Sequence, residues 1–167
     1  ATKGTYTIVY TATTVSSGNK ASVKISGWGA AKTSGTYGVT QGSAAQSASE
    51  VLVNKASYVA GEEITVTAML KDAQNNAVSG AAGVLTSGTT TVPNATLKAG
   101  SVWTEGATKG TYTIVYTATT VSSGNKASVK ISGWGAAKNV GDLWRYTRQR
   151  GPECLRGVGE QGIVCGG

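Results

Sequence analysis

The sequence predicts an all-β fold, and three observations predict it. Apolar and polar residues alternate with period two in short runs, as strands with one buried face require, and helical periodicity is sustained nowhere. Thr, Val and Ile fill these runs. Gly, Asn and Ser separate them, which is the punctuation of tight turns between strands.

Over 63–71 (EITVTAMLK), Ile64, Val66, Ala68 and Leu70 fall on one face, while Thr65, Thr67 and Lys71 face water. Gln74, Asn75, Asn76 and Ala77 then supply residues that tolerate left-handed backbone, so a turn is expected before Val78, Ser79 and Gly80. The next strand is expected over 82–86. Residues 89–92 and 95–98 flank Pro93, which cannot donate a ladder hydrogen bond and belongs at an edge or a turn. Trp103 follows. Over 110–120 (GTYTIVYTATT), Tyr112, Ile114, Tyr116 and Ala118 share a face, and over 126–132 Ala127, Val129 and Ile131 do the same. Ser122, Ser123, Gly124 and Asn125 lie between these two strands, which are therefore expected to form a hairpin. Six or seven short strands at about 8- to 12-residue spacing, in about 90–100 residues, suit an immunoglobulin-like β-sandwich without the disulfide. Residues 47–138 are the expected domain.

Residues 1–32 (ATKGTYTIVYTATTVSSGNKASVKISGWGAAK) recur unchanged as residues 107–138, an offset of 106. The chain therefore reads as an excerpt of a tandem repeat, whose units stack on or link to identical neighbours. On this reading residues 1–32 are the orphaned C-terminal hairpin of a preceding, truncated repeat, and residues 33–46 are the junction between units. A lone hairpin is marginally stable in water. Either copy can complete the sandwich, so strand-swapped self-association is expected. The first residue is Ala1, no signal peptide opens the chain and no apolar run approaches the ~20 residues of a membrane span, so Ala1 is expected to be internal to a longer parent.

The repetition breaks at Lys138, and it breaks only in the reading frame. Residues 139–167 share almost nothing with 33–61, yet each tail codon can be built from the wobble base of one repeat residue and the first two bases of the next. Thr33 then yields Asn139, Tyr37 yields Leu143, Gly38 yields Trp144 and Ala48 yields Cys154, and all 29 positions fit one DNA string. The tail is thus read as an out-of-frame translation of the next repeat, with no native structure expected. It holds all four Arg (Arg145, Arg148, Arg150, Arg156) and both Cys (Cys154, Cys165) of the chain.

The formal charge of +7 invites a nucleic-acid reading. Without the tail, eleven Lys stand against five acids, scattered singly among Thr, Ser and Gly, which is a solvated and mildly basic surface. No nucleic-acid partner is expected. Cys154 and Cys165 are read as incidental thiols. Residues 1–138 contain no Cys, His, Arg or Phe, an exported-surface composition that leaves no imidazole or thiol for catalysis. Glu50, Glu62, Glu63, Asp72 and Glu105 show no spacing for a metal or a carboxylate pair. No catalytic residue, metal or cofactor is expected.

Residues 71–80 (KDAQNNAVSG), then Trp103, residues 110–113 (GTYT), 116–119 (YTAT) and 127–134 (ASVKISGW), resemble the group 1 bacterial immunoglobulin-like repeats of intimin and invasin adhesins. Asn75-Asn76 stands where many such repeats carry Gly-Asn, which alters turn geometry. The resemblance covers about residues 47–134 and implies an inverse autotransporter. In such a protein an outer-membrane β-barrel, not present in this sequence, anchors tandem domains outside a Gram-negative cell. Most repeats there are spacers, and distal domains meet the host receptor. Neighbouring identical repeats are the implied partners. The alternatives are a domain that itself binds a host glycan or protein, and a decoration domain on a phage virion. Trp134, Tyr37 and Trp103 are the candidate interdomain or ligand contacts; for both Trp residues, packing in the core is the competing reading.

Overall fold

A computed structural model describes residues 3–140, so nearly all of the frame-shifted tail lies outside the described residues. The described chain is all-β and antiparallel. In chain order the strands are β1 (Ser16–Asn19), β2 (Ser22–Val23), β3 (Lys32–Thr33), β4 (Tyr37–Val39), β5 (Glu50–Val53), β6 (Glu63–Met69), β7 (Thr90–Thr91), β8 (Ala95–Leu97), β9 (Thr104–Glu105), β10 (Thr111–Ala118), β11 (Ser128–Val129) and β12 (Lys138–Asn139).

The principal sheet runs β5-β6-β10-β8, and β9 also pairs with β10. Tyr112 lies opposite Ala68 and Tyr116 opposite Ile64 along the β6–β10 ladder. The other edge of β10 is shared, with β8 against Tyr116, Thr117 and Ala118 and β9 against Tyr112 and Thr113. A smaller sheet runs β12-β11-β7. The two sheets enclose one core. Val66, Ala68, Leu70, Tyr112 and Ile114 meet Ala127, Val129, Ile131 and Trp134 in a single buried cluster. Burying such side chains is worth about 1.5–3 kcal/mol each, which explains why strict alternation fixes the register.

The strands expected over 63–71, 89–92 and 95–98 form as β6, β7 and β8. Two other expectations fail. Residues 82–86 are no strand: Ala82–Val84 make a single 3-10 turn closed by the Val84 N–H on the Ala81 carbonyl. Only Leu85 there is buried, because a short turn after three small residues brings one anchor to the core. The second failure is the hairpin. β10 and β11 do not pair, since both edges of β10 are already occupied, and β11 crosses to the other sheet to pair with β7 and β12.

The duplicated sequence adopts two states. In the second copy residues 111–118 are β10, and Tyr112, Ile114 and Tyr116 are buried; in the first copy residues 5–12 form no strand, and Tyr6, Ile8 and Tyr10 are exposed. That run needs partners from outside the copy. The shorter local features persist in both. β2 pairs with β3 as β11 pairs with β12. The Trp28 N–H donates to the Ile25 carbonyl as the Trp134 N–H does to Ile131. Asn139 and Val140, assigned to a tail without native structure, join this pattern: Asn139 pairs with Ser128, and the Val140 N–H reaches the Ala127 carbonyl, as the Ser34 N–H reaches Ala21. Ladder hydrogen bonds use the backbone, so a changed side chain does not prevent them.

Candidate functional site

The hairpin loop that follows β6 is built around one carboxylate. Lys71 bridges Ala77, and Asn75 takes the left-handed backbone conformation between them, with φ 68°. Asp72 is almost wholly buried, yet it is fully served. Its Oδ1 accepts from the backbone N–H groups of Gln74 at 3.0 Å and Asn76 at 2.9 Å, and its Oδ2 accepts from Gly42 at 2.9 Å. The Asn76 amide group donates to both oxygens. These donors, Gly42 foremost, hold the Asp72 carboxyl below its ordinary range. One anion thus fixes the loop and attaches the chain that precedes the domain.

That attachment continues along the junction. Gln41 exchanges hydrogen bonds with Ser79, donating to its carbonyl at 2.6 Å and accepting from its N–H at 3.1 Å. The Ala45 N–H donates to the Lys71 carbonyl at 2.8 Å. The Trp134 indole N–H reaches the Ala44 carbonyl at 2.9 Å. The last part of the predicted junction is therefore bonded to the sandwich at several points.

On its outer side the loop touches the first copy. The Asn76 amide donates to the Thr13 carbonyl at 2.9 Å, and its Oδ1 accepts from the Val15 N–H at 3.3 Å. Just beyond, β1 pairs with β4, placing Ser16 opposite Val39 and Asn19 opposite Tyr37. Thr13 and Val15 of the first copy are thus bonded to the loop on one side, and Gly42 on the other. In the sequence residues 74–77 read only as a turn, because the partners of Asn76 in the first copy lie 61 and 63 residues away and no local signal marks them.

The candidate aromatics separate. Trp134 and Trp103 are both buried, and the Trp103 indole donates to the Thr90 hydroxyl at 3.1 Å. Neither presents a face for ligand stacking; packing in the core is their role, with Trp134 also holding Ala44 of the junction. Tyr37 is 51% exposed and lies on β4 beside the first copy.

The far end of the sandwich holds a groove of about 630 Å³ lined by Tyr58, Ile64, Val92, Pro93 and Val121, among others. β6 begins at Glu63 beside this groove and ends at Met69 beside the Asp72 loop, so the two features occupy opposite poles, roughly 20 Å apart along the strand. An ion pair at the rim, Lys55 with Glu62 at 2.7 Å, is solvent-exposed and contributes little. Among the described residues no group of three His, Cys, Asp or Glu side chains could hold a metal ion. No helix there is long and apolar enough to cross a membrane.

No protein-family model matches this chain, and no curated protein or solved structure matches it. The functional reading rests on the residues alone.

Proposed function

We propose that this chain is a spacer unit of a bacterial surface adhesin, an immunoglobulin-like repeat that stands outside a Gram-negative outer membrane and projects a host-binding tip carried by other domains. The observation that supports it most is the unchanged recurrence of 32 residues together with the Asn76 contacts between the earlier copy and the sandwich. Duplicated units add reach without adding a new site. The polar groups that converge in the domain, Asp72, Asn76 and Gln41, are engaged in joining segments of the chain to one another. No catalysis, cofactor or metal enters this reading.

The test is direct binding. Purified, labelled full chain applied to mammalian cells and to immobilised glycans is expected to show no saturable association. Saturable binding that a mild excess of unlabelled chain displaces would overturn the spacer role and favour a domain that itself engages a host ligand.

A further inference from the structure

The internal duplication relates the groove to a contact made elsewhere in the chain. Adding 106 to each first-copy residue that touches the domain loop or the junction maps Thr13 onto Thr119, Val15 onto Val121, Ser16 onto Ser122 and Asn19 onto Asn125. Val121, Ser122 and Asn125 line the groove, and Thr119 stands between its lining residues Ala118 and Thr120. In the first copy Thr13, Ser16 and Asn19 border a smaller concavity, closed on one side by Tyr37 and Val39 of the junction.

The two segments also share one shape. Gly18 and Gly124 adopt φ of 71° and 72°, and the Asn19 and Asn125 amides donate to Ser16 and Ser122 respectively. The difference is the partner. Residues 16–19 form β1 against β4, whereas the backbone of residues 121–125 makes no hydrogen bond among the described residues. Val121 is 92% exposed beside an apolar groove. A segment that already has the local shape of β1, with its backbone unpaired, is a template for one more strand. In this chain the positions that would carry the next Tyr37 and Val39 are occupied in sequence by Leu143 and Arg145.

We propose that the pole formed by residues 119–125 and the groove beneath them is the seat of the following repeat. That repeat lays its own copy of β4 antiparallel along residues 122–125, closes the groove with its Tyr37 and Val39 side chains, and clips on through its Asn76 to the Thr119 carbonyl and the Val121 N–H. Each unit then carries a loop at one pole and its receptor at the other, which defines a head-to-tail contact that propagates along an array. This deepens the spacer reading, because docked units hold a stalk extended where free units would let it fold back. It rests on the tandem repetition and not on the identity of the parent.

The test compares the full chain with a chain in which residues 33–138 follow Lys138 in frame. Hydrogen exchange of the amides of residues 121–125 is expected to slow by about tenfold or more in the extended chain. Asn76→Ala in the second unit is expected to return the Val121 amide towards the rate in the full chain. Because that substitution also removes a donor to Asp72, a Tyr37→Ser variant of the added junction provides a second disruption outside that loop, with the same acceleration expected. Equal exchange of residues 121–125 in the full and extended chains would overturn the docking. That result would leave the spacer reading intact, since that reading is tested separately, by whether the purified chain binds a host ligand.

Discussion

Tyr112 donates its hydroxyl to the Val78 carbonyl at 2.8 Å and accepts from the Ala81 N–H at 2.9 Å, whereas Tyr6, its counterpart 106 residues earlier, stands 95% exposed. One 32-residue sequence thus occupies two environments in one molecule. Every substitution in the second copy has an internal control in the first, because local propensity is the same at both sites and tertiary context alone differs.

Tyr112→Phe leaves the Ala81 N–H and the Val78 carbonyl without their partner inside the sandwich. The expected loss is about 1–3 kcal/mol, the penalty for a buried polar group left unpaired. Tyr6→Phe is expected to change stability by less than about 0.5 kcal/mol. Urea unfolding followed by tryptophan fluorescence measures both; equal effects would mean that the two copies exchange places.

Gly110 is the second matched position. Its φ is +75°, and a Cβ there would lie 2.8 Å from the Leu70 carbonyl oxygen and 3.1 Å from the Ala77 Cβ. Gly4 has φ +83° with nothing within 4 Å. Left-handed backbone alone costs a non-glycine residue about 1–2 kcal/mol, and the collision adds to it. Gly110→Ala is expected to destabilise by about 2 kcal/mol or more, and Gly4→Ala to leave the unfolding midpoint nearly unchanged because residues 5–12 are in no strand.

Acid sensitivity follows from two carboxylates. Glu105 accepts from the Gly110 and Gly80 N–H groups and Asp72 from Gly42 and its own loop, and both are held below their ordinary range; the exposed Glu62–Lys55 pair adds little. A depressed folded-state pKa gives stability that is present above the unfolded value, about 4, and is lost as pH falls through the folded value. Stability is expected to be flat from pH 8 to about 5, where the absence of His leaves no ordinary titrating side chain, and to fall below about pH 4. Glu105→Gln is expected to lower stability at neutral pH and to shrink the acid-induced loss. A midpoint that drifts between pH 6 and 8 would contradict this assignment.

Association follows from the exposed first copy. Both edges of β10 are occupied, so residues 5–12 cannot simply add to the sheet; they can enter only by taking the place of β10, in the same molecule or another. Exposed Tyr6, Ile8 and Tyr10 favour that exchange. Light scattering is expected to show concentration-dependent dimers, lost when residues 1–32 are deleted. An unchanged size distribution after the deletion would rule the exchange out.

The long strands were legible because their alternation is strict: Ile64, Val66 and Ala68 in β6, and Tyr112, Ile114 and Tyr116 in β10, are all buried. β5 and β9 were not read, since four and two residues carry too little periodicity to separate from loop. The β10–β11 hairpin was misread because sequence proximity favours pairing, whereas β6 holds one edge of β10 and β8 with β9 the other. The contact site was the least legible part. Asn76 and Thr13 are far apart in sequence, and only the three-dimensional turn imposed by Asp72 brings the Asn76 amide to the earlier copy.

The spacer role is tested most directly by measuring how far the tip of a surface-displayed array stands from the cell envelope as in-frame 106-residue units are added, while its affinity for the receptor is followed in parallel. A spacer predicts reach that grows by a constant increment per unit with receptor affinity unchanged. Reach that stays constant, or affinity that rises with each added unit, would contradict it.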